Sequence, residues 1–195
     1  MPYCGHLNNI MKSVAIFASG SGSNAENIIQ YFKDKGINVD FRVYTNNSKA
    51  GVIDRCNRLK VPCTIFTRHD LNGGHILNHL KSYDPDLIVL AGFLLLVPAD
   101  FVKEFPRRIV NVHPALLPKY GGKGMYGDNV HRAVIENKEA ETGITIHYVN
   151  EHFDEGEIIE QSSFPISELS LEAITKQIHD LEYKIFPLVI EKLLK

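Results

Sequence analysis

A chain of 195 residues with 44% apolar and 23% charged side chains is long enough to bury a real core and too hydrophobic to stay disordered. Its net charge of −2, with no run of Lys or Arg, gives no electrostatic footprint for nucleic acid. The three cysteines, Cys4, Cys56 and Cys63, form no CxxC pair and leave an odd count, which argues against a disulfide framework and for a reducing, cytoplasmic setting.

In chain order, residues 1–10 have no charged n-region followed by an apolar stretch; they read as a dispensable leader rather than a signal peptide. Ser13–Ala18 is an apolar run without alternation, as expected of a strand buried on both faces. The loop Ser19-Gly20-Ser21-Gly22-Ser23 leads into a helix over Asn24–Lys35, with Ile28, Ile29 and Phe32 on one stripe and Gly36 as its stop. A strand at Asp40–Tyr44, a helix at Gly51–Leu59 and a strand at Cys63–Phe66 follow. Asn72–Tyr83 reads as a helix and Asp86–Leu90 as a buried strand that ends in Ala91-Gly92-Phe93. A short helix at Ala99–Glu104 precedes a strand over Arg107–His113, and the glycine-rich loop Lys119–Asn129 leads to a helix at Val130–Asn137.

Gly143–Val149 and Ile158–Ile166 read as strands, and Ser170 caps a final helix, Leu171–Leu194, which Pro187 should kink. On that helix Leu171, Ile174, Ile178, Leu181 and Ile185 form a core stripe. Strands alternating with helices predict one α/β domain over residues 1–195, a three-layer open sheet that is mostly parallel. The last two strands are too close in sequence for a helical crossover, so one of them should run antiparallel. No apolar stretch is long enough to span a bilayer, and Leu87–Pro98 falls well short.

Three places carry chemistry. If Ile109–His113 is a strand, period two puts Asn111 and His113 on the same face, an amide beside a titratable imidazole where the strand stops. In open α/β sheets ligands bind at that end of the strands. The loop Gly20-Ser21-Gly22-Ser23-Asn24-Ala25 fits G-x-G-x-x-A between strand and helix, a place where backbone N–H groups receive an anion. A dinucleotide site also needs an acidic residue at the end of the second strand, and Tyr44-Thr45-Asn46-Asn47 has none. The hydroxyls of Ser19, Ser21 and Ser23 with the amide of Asn24 suit a phosphate monoester; a nucleotide cofactor and a purely structural turn stay open as alternatives.

The third place is Asp154, in His152-Phe153-Asp154-Glu155-Gly156, where a carboxylate can orient and charge an imidazole or simply make a turn before glycine. His75 and His79, four apart, lack the Glu of H-E-x-x-H and a third ligand, so they read as a solvated helix face and no metal is expected. His131, just past the glycine-rich loop, could reach the substrate, but it reads first as a surface residue.

Taken together, Ser-Gly-Ser-Gly-Ser-Asn, Leu-Ala-Gly-Phe, Asn-Val-His-Pro-Ala-Leu-Leu-Pro and Asp-Glu-Gly-Glu-Ile-Ile, in that order, resemble the folate-dependent formyltransferases from Met11 to Lys195. The first loop resembles the branch of that family that acts on glycinamide ribonucleotide. The resemblance implies a Rossmann-like formyltransferase fold and, as co-substrate, 10-formyltetrahydrofolate. It implies that Asn111, His113 and Asp154 are catalytic, with Asp154 keeping His113 cationic, and that Gly22, Ser23, Asn24 and Glu182 hold the ribonucleotide. It places folate against the backbone of Leu94, Leu95, Leu96 and Val97 and of Asn150, Glu151, His152, Phe153 and Asp154, beside Asn111, with Arg68 at the folate tail. Small molecules are then the partners, with neither nucleic acid nor membrane, and the protein would be a monomer or homodimer. Relatives acting on tRNA or sugar nucleotides, or hydrolysing the folate, typically carry a further domain. The motif has Ala115 where Ser is common, and the Lys119–Asn129 loop is longer than usual, with Asn129 where His is often found.

Overall fold

The computed structural model describes residues 11–195, and the expected leader at residues 1–10 lies outside the described residues. Strand β1 (Lys12–Phe17) buries Val14 and Ile16 against one helical layer and Ala15 and Phe17 against the other, as an unalternating run requires. Helix α1 (Ser23–Asp34), strand β2 (Val39–Thr45), helix α2 (Val52–Leu59) and strand β3 (Cys63–Ile65) complete the first half. Helices α3 (Arg68–Asn72) and α4 (His75–Tyr83), strand β4 (Leu87–Leu90), helix α5 (Ala99–Glu104) and strand β5 (Ile109–His113) come next. Helix α6 (Asp128–Glu136), strands β6 (Glu141–Tyr148) and β7 (Ile158–Pro165) and helix α7 (Leu171–Leu193) close the chain.

The seven strands lie in the order β3-β2-β1-β4-β5-β6-β7. β1 to β5 are parallel, and β6 runs antiparallel to both of its neighbours. The expected antiparallel strand is therefore β6. Strand order reverses between β1 and β4, whose ends meet at Phe17 and Leu90, and this opens the crevice in which α/β proteins bind ligands. One face of the sheet is covered by α1, α2 and α7 through residues such as Ile28, Phe32, Val52, Ile174 and Phe186. The other is covered by α3, α4 and α5 through Leu71, Ile76, Leu80, Phe101 and Phe105.

One predicted helix starts later than expected, and a short helix not read in the sequence precedes it. Instead of running from Asn72, the helix begins at His75 as α4, after α3 ends at Asn72 and the chain breaks at Gly73-Gly74 (Gly74 φ 79°). The start of α3 is a capping box: the Thr67 hydroxyl accepts from the Asp70 N–H at 3.2 Å, and the Asp70 carboxylate accepts from the Thr67 N–H at 2.7 Å. Pro187 lies inside α7, where it cannot donate to the Tyr183 carbonyl. That carbonyl accepts instead from Asn27 Nδ2 of α1 at 2.9 Å, so the lost helical bond becomes a link between helices. Ile174 and Ile178 of the expected stripe are fully buried, and Leu181 and Ile185 are partly so.

Candidate active site

Gly22 stands at the N-cap of α1 with φ 74°, and a Cβ there would lie 2.3 Å from Val52 Cγ2, so the tight turn against α2 requires glycine. No side chain caps the helix. Its first N–H groups are therefore left for an anion, with the helix dipole favouring negative charge. The Ser19 hydroxyl, expected to help hold that anion, is buried and committed elsewhere. It donates to Asn46 Oδ1 at 2.6 Å and accepts from the Leu94 N–H at 3.0 Å. It ties the second strand's end to the Leu94–Val97 loop instead of facing the cradle. Asn24 Nδ2 is also engaged, donating to Glu182 Oε2 at 2.8 Å.

The polar centre forms where β5 ends. Asn111 and His113 share a face, and antiparallel pairing sets His147 opposite Asn111 and Thr145 opposite His113. Asp154, held at φ 57°, lies over this row. Its Oδ2 is 3.5 Å from His113 Nδ1 and accepts from the Gly122 N–H at 3.0 Å. Its Oδ1 accepts from Asn111 Nδ2 at 3.4 Å. The predicted contact between Asp154 and His113 is present.

Proton positions follow from the partners. His147 Nδ1 is 2.8 Å from the Tyr148 carbonyl, which can only accept, so Nδ1 carries a proton. Nε2 of His147 then accepts from Asn111 Nδ2 at 3.1 Å. By the same logic His113 Nε2, 2.7 Å from the Tyr120 carbonyl, carries a proton. Burial pushes the His113 pKa below the usual histidine range, and the Asp154 carboxylate only partly offsets it. His113 Nδ1 also faces an acceptor, the Asp154 carboxylate, so the contact expected to favour the cation is present while burial opposes it. For Asp154 burial acts to raise the pKa, but His147, His113 and the Gly122 N–H together hold the carboxyl below its ordinary value.

The turn after His113 is braced by residues that were not singled out in the sequence. Thr145 Oγ1, fully buried, donates to the Ala115 carbonyl at 2.7 Å and accepts from the Leu117 N–H at 3.0 Å and Gln161 Nε2 at 2.8 Å. Backbone supplies the contacts on the motif side, which is why Ala115 serves where Ser is common. Gly156 is obligatory, because a Cβ would lie 1.6 Å from the Tyr148 carbonyl oxygen. That close approach fixes the turn carrying Asp154.

A cavity of about 980 Å³ joins these parts. It is lined by Gly22, Ser23, Asn24 and Glu182 at one end, Asn111, His113 and Asp154 at the centre, and Leu94, Leu95, Leu96, Val97, His152 and Phe153 at the other. Arg68, exposed, stands at its edge, while Asn150 and Glu151 do not line it. Asn150 serves the turn instead, its Oδ1 accepting from the His152 N–H at 2.9 Å. Leu94 and Leu96 are 53% and 43% exposed, an apolar surface for a flat ligand, and Leu95–Val97 backbone N–H groups make no hydrogen bond among the described residues.

His131, expected at the surface, is buried and lines the same cavity, because α6 starts at Asp128 and turns His131 inward with Val130 and Val134. His179, not singled out in the sequence, also lines it. His75 and His79 are exposed on α4, and no group of three His, Cys, Asp or Glu suited to a metal occurs among the described residues. None of the described helices is long and apolar enough to cross a membrane.

The fold and the site together define an open α/β protein with an uncapped helix N-terminus and an amide–imidazole–carboxylate centre along one crevice. Residues 12–190 match the family model described as "Formyl transferase", and the chain belongs to that family. It is 35% identical to the phosphoribosylglycinamide formyltransferase of Haemophilus influenzae, over 93% of this chain and 86% of that protein. It is 36% identical to the chloroplastic phosphoribosylglycinamide formyltransferase of Arabidopsis thaliana over 92% of this chain, spanning 64% of that relative's length. Among solved structures, glycinamide ribonucleotide transformylase 1 of Geobacillus kaustophilus superposes with a TM-score of 0.85 at 33% identity, covering 95% of this chain and all of that one.

Proposed function

We propose that the chain transfers the formyl group of 10-formyltetrahydrofolate to the glycinamide amine of 5'-phosphoribosylglycinamide, a step of purine biosynthesis. The observation that carries this reading is the single cavity linking an uncapped helix N-terminus to the Asn111–His113–Asp154 centre and the Leu94–Val97 loop. The phosphate lies against the first turn of α1. Glu182, an acceptor when ionised, suits the ribose hydroxyls better than the phosphate. The pterin lies against the Leu94–Val97 backbone and the turn at His152–Asp154, with Arg68 facing the folate tail.

The amine nitrogen attacks the formyl carbon, and negative charge develops on the formyl oxygen. His113 Nε2–H donates to that oxygen once the Tyr120 carbonyl releases it, and the developing charge, with Asp154 at 3.5 Å, draws the ring toward the cation. Asn111 Nδ2 has one hydrogen on His147 and one on Asp154, and the longer contact to Asp154 is the one it can give to the oxyanion. When the carbon–nitrogen bond to the folate breaks, the proton lost by the amine passes by way of His113 to the departing nitrogen. None of these steps calls on a metal.

Incubating the protein with 10-formyltetrahydrofolate, with and without the ribonucleotide, tests the proposal. Turnover that requires the ribonucleotide supports it. Turnover with folate alone overturns it in favour of a hydrolase.

A further inference from the structure

Three successive carbonyls of the loop before α1 each carry a hydrogen bond. Gly20 O accepts from the Val52 N–H at 3.3 Å, Gly22 O from the Glu26 N–H at 2.9 Å, and Ser21 O from Arg55 Nε of α2 at 2.8 Å. The first two bonds are backbone to backbone, while the third depends on one guanidinium. Arg55 is itself held in place. Its Nη1 donates to Glu26 Oε2 in the first turn of α1, and Arg58 Nη2 donates to the other oxygen of that carboxylate. We propose that Arg55 is a positioning residue for ribonucleotide binding, which holds the Ser21–Gly22 peptide so that the Gly22 N–H faces the phosphate. This role rests on the reading of the first turn of α1 given under Proposed function.

A trans peptide is planar, and its carbonyl and N–H point in opposite directions. A guanidinium on the Ser21 carbonyl therefore sets the direction of the Gly22 N–H, which makes no hydrogen bond among the described residues. The loop's own backbone holds this plane weakly, because the plane turns partly about Gly22 φ and glycine adopts either sign of φ about as readily. Turned over, the peptide would aim the Ser21 oxygen, an acceptor, at a phosphate that also offers acceptors. Arg55 has a second, separable effect: with side chains 29% and 26% exposed, it and Glu26 form an ion pair that offsets a carboxylate in the first turn of α1. A variant that removes both charges tells the two effects apart.

Kinetics and calorimetry on the full chain compare the wild type, Arg55→Met and the double variant Glu26→Gln with Arg55→Met. Arg55→Met should raise the KM for the ribonucleotide about tenfold, the loss of one hydrogen bond to a charged group, with a matching fall in its affinity. Both kcat and folate affinity should stay within about twofold, which a general loosening of the fold would not allow. The double variant should keep the raised KM, since balancing the charges does not return a donor to the Ser21 carbonyl. Its balanced charges also keep the test open if Arg55→Met alone loosens α1 from α2. Recovery of the wild-type KM in the double variant overturns the inference and leaves Arg55 as a counter-charge for Glu26. An unchanged KM in Arg55→Met overturns it equally. A wild type that fails to bind the ribonucleotide at all overturns the proposed function, and the inference with it.

Discussion

Asp154→Asn isolates the charge of the carboxylate from its shape. Asn keeps an oxygen for the Gly122 N–H, so the 3.0 Å bond that holds the glycine-rich loop over the site is retained. What goes is the charge 3.5 Å from His113 Nδ1, between side chains that are 4% and 11% exposed, where solvent screens little. At an effective dielectric near 20, two full charges at that separation interact by about 4–5 kcal/mol. The imidazole gains only part of its charge in the transition state, so about 3–4 kcal/mol of the barrier depends on Asp154, on the order of a thousandfold in kcat. Steady-state kinetics with both substrates should show that loss, while calorimetric affinity for the ribonucleotide stays within about twofold because the cradle lies at the other end of the cavity. A variant that keeps kcat within about tenfold of wild type refutes the coupling of Asp154 to His113.

Three further outcomes follow from the same contacts. The Asp154 pKa is lowered in the fold, so its ionisation contributes stability that is fully present above the unfolded value of about 4 and is lost as pH falls through the folded one; urea midpoints measured from pH 6 to pH 3 should fall less steeply for Asp154→Asn than for wild type. Gly156→Ala forces a methyl group against the Tyr148 carbonyl and should destabilise the protein by about 2–4 kcal/mol, visible in the melting temperature. Ser19→Ala strands Asn46 Oδ1 and the Leu94 N–H, and should raise the KM for the folate about tenfold without changing that for the ribonucleotide. If instead the ribonucleotide KM rises, Ser19 belongs to the cradle after all.

The pairing of Asn111 with His113 was legible because it needs only the period of a strand, and the order of strands and helices was legible from hydrophobic pattern alone. The division of α3 from α4 was also written in the chain, as Thr67-x-x-Asp70 and Gly73-Gly74, though the apolar positions Ile76, Leu77 and Leu80 speak more loudly. Ser19 could not be placed from its own neighbourhood. A serine in a glycine-rich loop suits a phosphate, and only the distant Asn46 and Leu94 show where its hydroxyl goes.

His147 is the instructive omission. Thr145 and His147 are polar residues at period two in a strand that otherwise reads Ile144, Ile146, Tyr148, so the sequence does announce that they share a face. What it withholds is the register. A shift of one residue between β5 and β6 would turn that face away from Asn111 and His113. The register is fixed by the turn after His113 and by Thr145 itself, whose hydroxyl closes on the Ala115 carbonyl and the Leu117 N–H. The residue that aligns the two strands is thus next to the residue that the alignment delivers. His147, placed opposite Asn111, takes one of the two amide hydrogens and leaves the other on Asp154, so the strand register sets which hydrogen the site has free for an incoming oxyanion.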